Sequence, residues 1–328
     1  MSRIYAALGS TVLVADGDPG EWHVTDRTPD PSVRCLAAAP ERPERVLCGT
    51  GEAGLHRSTT AGETWTRVGE DALPDRVTAL AVSPVDPDEV WAGTEPSRVF
   101  RSTDGGETWT EREGLTDLPS ASEWSFPPRP HTHHVRWLEV DPTDARLYVA
   151  VEAGALVRST DGGETWLDRV PSGRRDTHSM ATHPDAPGRA WVAAGDGYAE
   201  TADGGDTWTH PQEGLEHRYC WSVAVDPDAE TVLLSSARSA RTAHTPGRAE
   251  TYVYRRVGEG RWERSMDGLP EASGLLRPVL AAGAPGEFYA LTNRGLFRSV
   301  DGGETWMGQV WPWKPGYERQ APRALRLV

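Results

Sequence analysis

The sequence predicts an all-β fold, a single seven-bladed β-propeller spanning residues 1–328. Three observations carry that expectation. A turn motif of the form Ser-x-Asp-Gly-Gly-x-Thr-Trp recurs, and the tryptophans that close its copies, Trp22, Trp65, Trp109, Trp166, Trp208, Trp262 and Trp306, are mostly 42 to 44 residues apart. Each full period holds four short apolar runs separated by turn residues, the pattern of a small antiparallel sheet. The chain also ends on a segment that supplies what its first repeat lacks.

The first unit opens at Ile4-Tyr-Ala-Ala-Leu8, which aligns with the second strand of later units, and it closes on a degenerate turn at Trp22. The second ends on Ser58-Thr-Thr-Ala-Gly-Glu-Thr-Trp65, where Thr60 replaces the motif's Asp. The third shows the full design: Val77–Val82, Asp88–Thr94, Arg98–Ser102 and Thr108–Glu111, with Pro84-Val-Asp-Pro87 and Asp104-Gly-Gly106 at two turns. An insertion over 110–134 leads to the fourth unit, closed by Ser159–Trp166 and Asp161; Thr201–Trp208 with Asp203 closes the fifth. The sixth carries an insertion over 236–250 and a degenerate turn at Trp262, and the seventh ends on Ser299–Trp306 with Asp301. After a connection over 307–322, Arg323-Ala-Leu-Arg-Leu-Val328 reads as the missing first strand of blade one, clasping the ring shut. Radial closure of this kind solves the exposed-edge problem of sheets.

These motifs resemble the BNR or Asp-box pattern of the propellers of sialidases, xyloglucan-cleaving endoglucanases, sortilin-type receptors and photosystem II assembly factors. The resemblance covers almost the whole chain and implies the propeller fold, but those families include hydrolases, receptors and assembly factors, so it does not choose a function. Asp104, Asp161, Asp203 and Asp301 are expected to be structural: the carboxylate accepts turn N–H groups, the glycines supply positive φ, and the tryptophan covers apolar surface between sheets.

Composition narrows the function classes. The formal net charge is −15 and Lys314 is the only lysine, a balance that opposes nucleic-acid or anionic-membrane binding and suggests a salt-loving source. No leader-like basic and apolar run opens the chain, which favours a cytoplasmic location. Cys35, Cys48 and Cys220 are expected to be reduced and packed. No phosphate-binding Gly loop, dinucleotide fingerprint or nucleophile elbow occurs, so no cofactor is expected.

If strands alternate in direction, the Asp boxes occupy one face and the three long insertions the other, where binding belongs. Aligned inner strands place one residue per blade near their entry from that second face: Arg34, Thr78, Arg136, His178, Trp221, Arg277 and Arg323. A one-residue slip in blades six and seven, where the repeats are weakest, would turn Arg277 to the opposite face of its strand. Arginines roughly 8–10 Å apart repel by about 2 kcal/mol per pair at an effective dielectric near 20, so the ring requires counter-charge. Glu95, Glu152 and Asp196 at the ends of second strands can supply it as a salt-bridge network; alternatively the arginines grip a small anionic or carbohydrate-like ligand, or a partner peptide. Trp124, Trp311, Trp313 and Tyr317 offer stacking surfaces, and Arg238, Arg241, His244 and Arg248 add cationic reach. The same three carboxylates are the candidates for a glycoside hydrolase or lyase, and hydrolysis needs a pair about 5 to 9.5 Å apart. The resemblance to sialidases implies an arginine cluster with a Tyr-Glu nucleophile pair and an acidic proton donor, yet no Arg-Ile-Pro-like motif lies near the N-terminus and no clear Tyr-Glu pairing accompanies the arginines. A non-catalytic assembly scaffold is the third reading. His131, His133 and His134, with His178 or Glu123, form only a weak metal pattern, and no metal site is expected.

Overall fold

The computed structural model describes residues 2–328. Seven antiparallel sheets follow one another along the chain, and the inner strands touch in a closed circle from blade to blade. The inner strands of blades two to seven are Val33–Ala38, Val77–Val82, Val135–Val140, Thr177–Thr182, Tyr219–Val225 and Val279–Ala282. The seven-bladed expectation therefore holds. Blades four and five have three full strands, with the outer strand reduced to the single bridges Arg158–Leu167 and Glu200–Thr209.

Closure takes the form the sequence implied. Ala324–Leu327 pairs antiparallel with Ser2–Leu8, setting Ile4 against Leu327 and Ala7 against Ala324, so both chain ends share blade one. Backbone bonds from Arg323 N to Ala7 O, Arg3 N to Val328 O and Val328 N to Arg3 O extend the seam at 2.8–2.9 Å.

The core is divided among the joints. Each pair of neighbouring sheets encloses its own apolar cluster: Tyr5, Val14 and Leu36 between blades one and two, Trp91, Val99 and Leu138 between three and four, Ile4, Leu291 and Leu325 between seven and one. Strand side chains alternate between the two faces of a sheet, so a strand covered on both faces reads as continuously apolar, as Val90–Thr94 and Leu147–Val151 do.

Asp boxes pin the outer turns. Asp104 accepts from the Ser102 and Thr108 hydroxyls and from the N–H groups of Glu107 and Thr108 at 2.5–3.0 Å, while Gly105 and Gly106 take positive φ. Asp161, Asp203 and Asp301 likewise accept the flanking Ser or Thr hydroxyls and the N–H of Thr165, Thr207 and Thr305. At the degenerate box, the Thr60 hydroxyl accepts the Thr64 N–H at 3.0 Å, which explains the tolerated loss of Asp. The box tryptophans tie blades together: Trp65 Nε1 donates to Arg27 O, Trp166 to Glu113 O and Trp262 to Pro211 O.

Candidate functional site

The three insertions gather over the face opposite the Asp boxes, around a cavity of about 790 Å³ at the channel mouth. Phe126–Arg129 from the first, Ala240, Arg241 and His244 from the second, and Arg319–Ala321 from the third form its rim. Below it the channel narrows to a constriction of about 20 Å³, then opens at the Asp-box end into a hollow of about 550 Å³ whose lining carries only two charged residues, Glu139 and Arg326.

A backbone irregularity sets the mouth residues apart. In blades two to six the inner-strand register skips one residue, and the skipped residues are Arg34, Thr78, Arg136, His178 and Trp221. A β-bulge leaves its extra residue out of the ladder and re-aims its side chain. Here four of these residues line the cavity and His178 is buried behind Asp176 and Trp221. Thr78 spends its hydroxyl on Val135 O at 2.6 Å, a joint between blades. Arg323 stands at the equivalent point of blade one, one residue before its strand. Blade seven departs from the aligned pattern. Its ladder begins at Val279 opposite Leu291, so by register Pro278 holds the ring position and Arg277 precedes it. Arg277 still reaches the mouth because it lies outside the ladder, where strand alternation does not bind it.

The ring is only partly neutralised. Glu95 is held by Arg129 at 2.6 Å and Arg76 at 3.6 Å, and Glu152 lies 3.4 Å from both Arg136 Nε and His134 Nε2. Arg34, Arg277 and Arg323 have no carboxylate partner among the described residues. Arg277 is 2% exposed, its Nε and Nη1 have no hydrogen-bond partner, and its guanidinium lies 3.6 Å from the Trp221 ring centre, which Arg136 also approaches at 4.4 Å. Burial and the charges of Arg323 and Arg136 hold Arg277 well below the usual guanidinium pKa. Burial, with Arg136 and Arg34, lowers Arg323 to about 10.

Several expected site residues lie elsewhere. Asp196 does not line the cavity; it accepts the Arg175 N–H at 3.4 Å and sits 3.9 Å from Arg174, because its strand end turns outward. Asp176, two residues before the His178 bulge, takes the inward place. No alternation of residue types marked it, since it precedes its strand. Trp124, Trp311 and Tyr317 are buried packing residues, and Trp313 donates to Asn293 O; they anchor their loops instead of lining the mouth, whose aromatic groups are Phe126, Tyr219 and Trp221. Arg238 is paired with Glu250 at 2.7 Å. Glu123 is engaged by Arg169 and Arg175, away from the histidines, and His133 packs edge-on against Trp124.

Burial, then the charge of Glu152, raises Asp176 to about 6. Burial lowers His178 to about 4. Burial opposes the charge on Glu152 as well, but His134 and Arg136 outweigh it and keep this carboxyl far below its usual range.

Fold and turns together define an Asp-box β-propeller with a cationic mouth. The BNR/Asp-box repeat pattern matches residues 100–111. Among solved structures the chain is similar to an ancestral GH74 enzyme (TM-score 0.65, 16% identity, 90% of this chain and 38% of that one) and to the GH74 enzyme of Niastella koreensis (0.65, 18%, 91% and 52%). It is also similar to YCF48 from Cyanidioschyzon merolae (0.59, 17%, 88% of each chain). The chain thus spans about half or less of the GH74 enzymes, and at these identities the likeness is one of fold. No curated protein matches the sequence.

Proposed function

We propose that this propeller binds a small anion bearing a carboxylate or phosphate in its channel mouth. The buried guanidinium of Arg277, with Nε and Nη1 unpaired, carries this reading: the residue lines a cavity that Arg34, Arg136 and Arg323 also line. A buried charge without a partner is costly, and an anion accepting bidentate hydrogen bonds repays that cost. A peptide carboxylate presents the same group, and YCF48, a propeller of the same fold, has been solved bound to D1 peptide.

The hydrolase reading has less support. Asp196 stands apart and Glu95 is tied up by two arginines, while the remaining pair, Glu152 and Asp176, lines the cavity but lies against the buried His178.

Thermal melting at fixed ionic strength with sodium phosphate, sodium glucuronate and neutral glucose tests the proposal. At about 100 times its dissociation constant a ligand adds about 2.7 kcal/mol. Phosphate or glucuronate is expected to raise Tm in the wild type and not in Arg277→Met or Arg323→Met. The proposal fails if neither anion raises Tm, or if both variants respond as the wild type does.

A further inference from the structure

We propose that His178, Asp176 and Glu152 form a divalent-cation site in the wall of the mouth, suited to a first-row transition ion such as Zn²⁺ or Mn²⁺. One ligand atom from each lies within 4.8 Å of the others. Glu152 follows the second strand of blade four, while Asp176 and His178 bracket the start of blade five's inner strand, so two blades build the cluster.

The tautomer of His178 supplies the main argument. Its Nδ1 lies 2.7 Å from Cys220 O, and a carbonyl oxygen can only accept, so Nδ1 carries the proton. In the neutral ring Nε2 is then a lone pair. That atom is buried, has no hydrogen-bond partner, and points at Asp176 Oδ2 across 3.6 Å. Asp176 is oriented in turn, because Oδ1 accepts the Ala153 N–H at 2.9 Å and leaves Oδ2 toward the histidine. Two acceptors fixed face to face repel unless a proton or a metal ion lies between them, and 3.6 Å is too long for a shared-proton hydrogen bond. Their 3.6 Å separation matches the edge of about 3.4 Å between ligands of a tetrahedral ion with bonds near 2.05 Å.

The surroundings suit a metal. A histidine ligand whose other nitrogen donates to a backbone carbonyl is the usual outer-shell arrangement. Gly195 makes the room: a Cβ there would lie 2.0 Å from Asp176 Oδ2 and 3.1 Å from His178 Cε1. His134 Nε2, 3.4 Å from Glu152 Oε2, orients the third ligand. Imidazole with two carboxylates suits first-row ions, and the two carboxylates offset the dication's charge beside Arg136. Glu152 and Asp176 line the cavity while His178 lies behind them, so the open coordination positions face the mouth.

The cation site stands on its own geometry and does not require the anion reading. Chelator-treated protein is titrated calorimetrically with ZnCl₂ and MnCl₂ in phosphate-free buffer, with CaCl₂ as the hard-ion comparison. One transition ion per chain is expected, with weaker uptake of Ca²⁺. Asp176→Asn keeps the shape of the buried cluster and is expected to weaken binding more than about 100-fold, beyond the 10–100-fold of outer-shell changes. His178→Ala and Gly195→Ala follow the same direction. Arg277→Met keeps the cation while losing the phosphate response, so the two proposals fail separately. Absence of uptake by the wild type overturns the cation site, as does Zn²⁺ binding that survives Asp176→Asn, which would place the ion on the surface histidines.

Discussion

Deleting residues 322–328 removes the clasp, and its effect can be worked from the seam. Three backbone hydrogen bonds flanking the paired segment, at Arg323, Arg3 and Val328, are each worth about 1 kcal/mol. Leu325, 1% exposed between blades seven and one, adds about 2 kcal/mol of burial. The loss is at least about 5 kcal/mol, against a total stability for folded domains of roughly 5–15 kcal/mol. It also leaves Ser2–Leu8 as an unpaired edge on the channel side. At about 2.1 cal/mol/K per residue, a chain of 328 residues has an unfolding entropy near 0.7 kcal/mol/K, so the truncated protein should melt at least ~7 °C lower or fail to fold. Leu325→Ala grades the effect: about 2–5 kcal/mol, or ~3–7 °C. Calorimetry of the three proteins at one salt concentration is the assay. A truncated chain melting within 2 °C of the full one, a difference of about 1.4 kcal/mol by the same conversion, would refute the closure argument.

Arg277→Met should raise the melting temperature of the ligand-free protein, because it removes a buried charge whose neighbours are like charges; a lower Tm in calorimetry would show that the guanidinium contributes to packing instead. Asp104→Asn keeps one acceptor oxygen and loses the charge that several turn donors share, so it should cost about 1–2 kcal/mol in urea unfolding without changing the m-value. Burial opposes the charge on the Asp-box carboxylates, but the Ser and Thr hydroxyls and turn N–H groups they accept outweigh it and hold Asp104, Asp161 and Asp301 at about 2, below the unfolded value near 3.9. Their contribution is full above about pH 4 and is lost as pH falls from there toward 2; a melting temperature independent of pH over that window would contradict the assignment.

The period of the Asp boxes sufficed for blade number and for the face that carries the insertions, and the strand-like segment Arg323–Val328 for closure, because these follow from local turn and strand patterns repeated at a fixed spacing. Arg34, Arg136, Trp221 and Arg323 were legible as mouth residues for the same reason: each stands at one point of a repeated strand. Tertiary structure decided the rest. The bulges that free these residues from the ladder depend on how inner strands fit around the channel, and blade seven, lacking the bulge, shifts Arg277 off the aligned position. Asp196 and Asp176 could not be ranked from spacing, since both sit outside strands, where alternation no longer fixes direction. Trp124 and Tyr317 had the composition of a binding surface and proved to be packing, because burial of a loop aromatic depends on the sheets beneath it. The pairing of His178 with Asp176 needed two facts no sequence states: the carbonyl of Cys220 on the next blade, and the empty space at Gly195. Repetition encodes the ring residue by residue, whereas the chemistry at its mouth arises between blades, from atoms separated along the chain and joined only when the ring closes.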